Sequence, residues 1–189
     1  MDQHPFTVHL PQAVLDDLFE RLARTRWPDE AEGAGWEYGT NLAYMKELVE
    51  YWRMQFDWQA QERAINAFAQ YRATVNGVQI HFIHERGKGP RPLPLILTHG
   101  WPSTFCEMLK IIPKLADPAS YGGDPADAFD VVVPSLPGYG FSDPIPRYSA
   151  WETHQGWAEL MAGLGYGRFG AQGGDVGAGV TTRLGRFYH

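Results

Sequence analysis

The chain has 189 residues, 44% hydrophobic and 14% aromatic, which is enough apolar material for one sizeable core and too much for a disordered chain. Its net charge of −6 argues against a nucleic-acid or anionic-membrane surface. No apolar run is long enough to span a bilayer, and the opening Met1-Asp2-Gln3-His4-Pro5 does not read as a secretory leader. The single cysteine, Cys106, excludes a disulfide framework and thiolate zinc clusters, so a cytoplasmic home is the simplest expectation.

Residues 1–72 read as a helical segment. Val14, Leu15, Leu18, Phe19 and Leu22 recur at helical spacing behind Pro11, and Arg26-Trp27-Pro28 ends that helix. An acidic, glycine-rich loop at 29–40 carries Trp36 and Tyr38. A second helix presents Leu42, Met45, Leu48, Val49, Trp52 and Phe56, and a third runs from Trp58 to Tyr71. This segment reads as a packing layer with nothing catalytic in it.

At residue 73 the period changes to two, and residues 73–189 read as an α/β unit. Ala73-Thr74-Val75, Asn76-Gly77 and Val78 through His84 predict a hairpin with a tight turn. Strands are predicted at Leu93–Thr98, Phe129–Val133 and Arg168–Gln172. Helices are predicted at Thr104–Leu115, Trp151–Leu164 and Val176–Tyr188, with a Pro/Gly loop at 134–149. Strands alternating with helices predict a mostly parallel sheet with helices on its faces.

Two motifs carry chemistry. In Gly173-Gly174-Asp175-Val176-Gly177 a short strand runs in and a helix runs out, with small residues on both sides of one reactive side chain. A nucleophile elbow needs that composition, because side chains two positions either side of the nucleophile would collide. Taken alone, the five residues read first as a helix capped by Asp175 and second as a carboxylate nucleophile at a helix N-terminus. His99-Gly100-Trp101-Pro102 follows the apolar strand Leu95-Ile96-Leu97-Thr98. A loop of that kind can aim a backbone N–H at the nucleophile. The two donors of an oxyanion hole would then be the amides of Trp101 and Val176.

Together these motifs resemble the α/β-hydrolase epoxide hydrolases, and Pro5-Phe6, Arg26-Trp27-Pro28, Trp36, Tyr38-Gly39, Tyr51-Trp52, Phe56-Asp57-Trp58, Gly77 through His84 and Pro134 through Ser142 resemble their microsomal-type branch. The resemblance implies a partial α/β-hydrolase fold: a helical epoxide-hydrolase-type segment over 1–72, then the N-terminal half of the core over 73–189. It implies that Asp175 opens an epoxide by forming an ester, which an acid-oriented histidine and water then cleave to a vicinal diol. Trp101 and Val176 would stabilise the oxyanion. The pocket would be lined by His99, Gly100, Trp101, Pro102, Tyr139, Phe141 and Val176. The partners implied are a small apolar epoxide and water, with no metal and no organic cofactor.

The chain departs from that family's pattern in one respect. After Asp175 it offers no Asp or Glu, and its one further histidine is His189, so the water-activating pair and the lid are missing. The expectation is a fragment that needs a complementary chain, its missing half or self-association, and that is poorly stable alone because Arg168–Gln172 becomes a bare edge. Two alternatives stay open. A haloalkane dehalogenase-like hydrolase shares the Asp elbow, but resembles this chain less, since Val176 stands where that family has a Trp. An inactive fragment is the other.

The remaining candidates read as structural. Ser142 is followed by Asp-Pro-Ile-Pro and cannot start a helix at once. His81 and His84 point to opposite faces of a strand and are not a metal pair. His99 reads as a packed histidine whose backbone path matters more than its ring. His154 reads as a surface or packing residue, and Cys106 as a small apolar one. Gly163, Gly165 and Gly167 precede a strand, the wrong context for a dinucleotide loop.

Overall fold

The computed structural model describes residues 1–145 and 152–188. The chain divides into two compact units, Met1–Thr7 with Ile65–His189, and Val8–Ala64, where the sequence suggests a boundary at 72/73. No helix among the described residues is long and apolar enough to cross a membrane.

The smaller unit holds α1 (Gln12–Ala23), α2 (Leu42–Met54) and α3 (Trp58–Ile65). The third helix stops short of Tyr71. The Asn41 side chain caps α2, accepting from the Tyr44 amide at 3.0 Å. Glu62 accepts from the Leu10 amide and from the Trp58 indole, which ties the start of the unit to α3. Leu15 is buried, while Val14, Leu48, Tyr51 and Trp52 leave an apolar groove between α1 and α2.

The larger unit is built on a six-stranded sheet of order β1-β2-β3-β5-β4-β6, with β1 Gln3–Pro5, β2 Gln70–Val75, β3 Val78–Glu85, β4 Leu93–Thr98, β5 Phe129–Pro134 and β6 Gly170–Gly173. The sheet is mixed. Pairing is antiparallel from β1 through β5, because the first strands are joined by a hairpin, and parallel from β5 through β4 to β6, where crossovers with helices intervene. Asn76 and Gly77 take φ of 47° and 79°, the pair of positive values that a two-residue hairpin turn requires.

Neighbouring residues on a strand face opposite ways, so the sheet has two apolar faces. Ile96 and Val132 join a core with Ile80, Phe82, Trp157, Leu160, Met161, Val180 and Leu184, the last five brought by α5 (Thr153–Gly163) and α6 (Val176–Phe187). Val131, Val133 and Leu97 point the other way, the side of α4 (Ile112–Ala116) and the 3-10 turn Phe105–Met108, and they too are buried. The single helix expected over 104–115 is therefore two pieces, and Pro113 lies in the first turn of the second. The start expected for α5, Trp151, lies outside the described residues, as does His189.

Candidate active site

Strands β4 and β6 are parallel neighbours, and Thr98 at the end of one is in register with Gly173 at the end of the other. The loop leaving β4 and the turn leaving β6 consequently meet at the carboxyl edge of the sheet, where open α/β sheets gather their ligands.

The turn is as tight as its composition suggests. A Cβ on Gly173 would collide with the backbone of Gly177, and one on Gly177 with the carbonyls of Thr98 and His99. Gly174 has open space, so its small size is not demanded by packing. Asp175 sits between them at φ 52° and ψ −120°, a region that side-chain-bearing residues rarely occupy. Gly100 completes the fit, since a Cβ there would lie 2.6 Å from the Cβ of Asp175.

The Asp175 side chain makes no capping hydrogen bond to α6. Its Oδ1 instead accepts the Trp101 amide at 3.0 Å. That bond, seconded by the neighbouring Val176 amide, holds the carboxyl below the usual Asp range. Asp175, Trp101 and Val176 are all exposed, Trp101 by 66%, so the site lies open to solvent. A carboxylate with one oxygen held by the Trp101 amide can attack an electrophilic carbon through the other, while the held oxygen is stabilised against the charge that develops on it later.

The other expected pocket residues divide. Gly100 and Pro102 flank Trp101 in the same loop, and the Trp101–Pro102 peptide is cis. Tyr139 is half-buried and meets the ring of His99 edge-on at 5.6 Å. One expectation is corrected. The imidazole of His99 is fully enclosed, with its nitrogens on the Gly100 carbonyl and the Leu136 amide, so it offers no surface to a ligand. Phe141 is half-buried and packs into a ring cluster with Phe6, His81 and Phe105.

Sequence reasoning missed that cluster's polar centre. His81 is fully buried between Ser135 at 2.9 Å and Gln70 at 3.0 Å, and Ser142 accepts its amide and donates to the Ser135 carbonyl. Burial, helped by Arg72, pushes the His81 pKa down to about 3. At the other end of β3 His84 meets Tyr166, which donates to Asp130. Burial, with Arg86, takes His84 to about 4. Both histidines are structural and neutral. The one sequence signal for them was their place in an apolar strand.

Comparison with known proteins shows the family and the fold. The family model described as "Epoxide hydrolase N terminus" matches residues 3–108, and that for the alpha/beta hydrolase fold matches residues 94–188. A Stigmatella aurantiaca (strain DW4/3-1) protein whose name assigns it as an epoxide hydrolase is 49% identical over 95% of this chain and 41% of its own length. Epoxide hydrolase 1 of Oryctolagus cuniculus is 38% identical over the same shares. The structure of Aspergillus niger epoxide hydrolase superposes with a TM-score of 0.86 at 30% identity, covering all of this chain and 50% of that one. The chain thus spans about two fifths of the length of the curated relatives it matches.

Proposed function

The chain belongs to the epoxide hydrolase N-terminus family on the alpha/beta hydrolase fold, and from that premise we propose that it carries the ester-forming part of an epoxide hydrolase site, with Asp175 as nucleophile. The observation that carries the reading is the 3.0 Å bond from the Trp101 amide to Asp175 Oδ1, made by a carboxylate on a strained turn that makes no capping hydrogen bond to α6.

Oδ2 attacks one carbon of the ring. The new C–O bond forms as the ring C–O bond breaks, and the departing oxygen takes a proton from an acid, leaving a hydroxyalkyl ester. In the second step water adds to Cγ, its proton passing by way of a base to the leaving diol oxygen, and the electron pair moves onto Oδ1, the oxygen held by the Trp101 amide. Collapse of that intermediate expels the diol oxygen and restores the carboxylate. Neither His81 nor His99 serves as the base for this water, since both ring nitrogens of each are engaged. The whole cycle, diol release included, is proposed for the full-length relatives' arrangement and not for these residues alone. We place the substrate among small apolar epoxides, with water as the second reactant.

The competing reading is displacement of halide from a haloalkane. It would be helped by a donor side chain after the nucleophile, and Val176 has none. Incubation with a styrene-type epoxide and, separately, with a haloalkane tests the two. The proposal expects an ester with the epoxide and no release of halide. Halide release without reaction of the epoxide overturns it.

A further inference from the structure

The Trp101 amide that reaches Asp175 and the Gly100 carbonyl are two ends of one peptide group. That group is planar, and its N–H and C=O point in opposite directions, so whatever holds the carbonyl also aims the amide. Two donors hold it: the His99 Nδ1–H at 3.0 Å and the Ser103 amide at 3.3 Å. The other ring nitrogen, Nε2, lies 3.0 Å from the Leu136 amide. A carbonyl only accepts and an amide N–H only donates, so the ring carries its proton on Nδ1 and none on Nε2. A second proton would set Nε2–H against the Leu136 N–H. Burial disfavours that proton as well, against the smaller opposing pulls of the Gly100 carbonyl and Glu107.

From this we infer that His99, as the neutral Nδ1–H tautomer, is the positioning residue that orients the Gly100–Trp101 peptide and so aims the Trp101 amide at Asp175. The ring is a strut between two loops. One end grips the peptide of the hole, and the other grips the loop that leaves β5 at Leu136. Tyr139 from that loop closes over its edge. The other donor, the Ser103 amide, lies farther off at 3.3 Å, and Gly100 itself can supply no side chain, since a Cβ there would come within 2.6 Å of the Asp175 Cβ. The inference deepens the reading of Asp175 as nucleophile and rests on it for its chemical meaning. The geometry can be tested without any substrate.

Two isosteres separate the ends of the ring. In His99→Asn the amide nitrogen takes the place of Nδ1, keeping the bond to Gly100 and losing the one to Leu136. His99→Gln places its oxygen near Nε2, with the opposite result. A carboxyl-detected carbon-13 NMR titration of Asp175 is the readout. The wild-type chain and His99→Asn should titrate below the usual Asp range. In His99→Gln the midpoint should rise by about one pH unit, the scale of one weakened hydrogen bond to a charge. A merely structural histidine would move both variants alike or neither, and either result overturns the inference. If His99→Gln does not fold, the nitrogen-15 spectrum of His99 in the unsubstituted chain decides. A protonated Nδ1 with a bare Nε2 at neutral pH supports the strut, and the opposite tautomer or an imidazolium overturns it. Failure of the epoxide to react would leave these titrations standing, so the two readings fail separately.

Discussion

Asp175 holds its backbone at φ 52° where a glycine would rest without strain. The turn accepts that strain because it aims the carboxylate at the Trp101 amide. Asp175→Gly should therefore raise the urea midpoint of unfolding while abolishing ester formation; a lower midpoint would show that the turn is unstrained. The neighbouring glycines differ in a way their sequence does not reveal. Gly177→Ala should destabilise by about 1–3 kcal/mol, since its methyl meets the carbonyls of Thr98 and His99, whereas Gly174→Ala should stay within about 0.5 kcal/mol. Urea unfolding of the pair checks both. The acidity of Asp175 gives a kinetic counterpart. Its carboxyl is held below the ordinary value of 3.8 by the Trp101 and Val176 amides. The ester-forming rate should stay flat as pH falls from neutral to the usual carboxylate range and drop only below it, because only the ionised form attacks. A drop beginning above the usual range would contradict the hydrogen-bonded site.

Among the elements, those written by local rules were legible. The Asn76-Gly77 turn, the β4 strand at Leu93–Thr98 and the Gly173–Gly177 elbow each declare themselves within a few residues. At Gly77, φ is 79°, so Gly77→Ala should cost the hairpin about 1–2 kcal/mol, measurable as a lower unfolding midpoint. What the sequence hid depends on distant partners. Strand β1 is three exposed residues, Gln3-His4-Pro5, with no alternation, and it exists because Ala73, Arg72 and Tyr71 lie opposite. The role of the His99 ring needed Leu136, 37 positions away, and the His81 network needed Ser135, 54 positions away. Local periodicity predicted a helix through 104–115, yet the chain there breaks into a 3-10 turn and a short helix that begins at Ile112-Pro113. The candidate nucleophile and its amide partner were legible because both sit in short motifs. The supports behind them were not.

For the whole molecule, the buried histidines govern the response to acid. His81 and His84 stay neutral in the fold down to about 3 and about 4, while in the unfolded chain they take up protons near 6.5. The unfolded state thus binds more protons between those values. Stability should be full above 6.5 and fall as pH drops, approaching about 1.4 kcal/mol per pH unit for each histidine. Urea midpoints measured from pH 7 to pH 4.5 check this, and His81→Gln should flatten the decline; a midpoint that holds constant would mean the rings are not neutral in the fold. Depressed carboxyls such as Asp130 lose their own contribution only at lower pH, so the two effects separate.

All of this converges on one side chain, and intact-mass analysis followed by peptide mapping after exposure to a styrene-type epoxide tests it most directly. The account predicts a gain of one epoxide mass, localised to Asp175 and absent in Asp175→Asn. An unmodified Asp175, or an adduct that persists on another residue such as Cys106 in the Asp175→Asn variant, would contradict it.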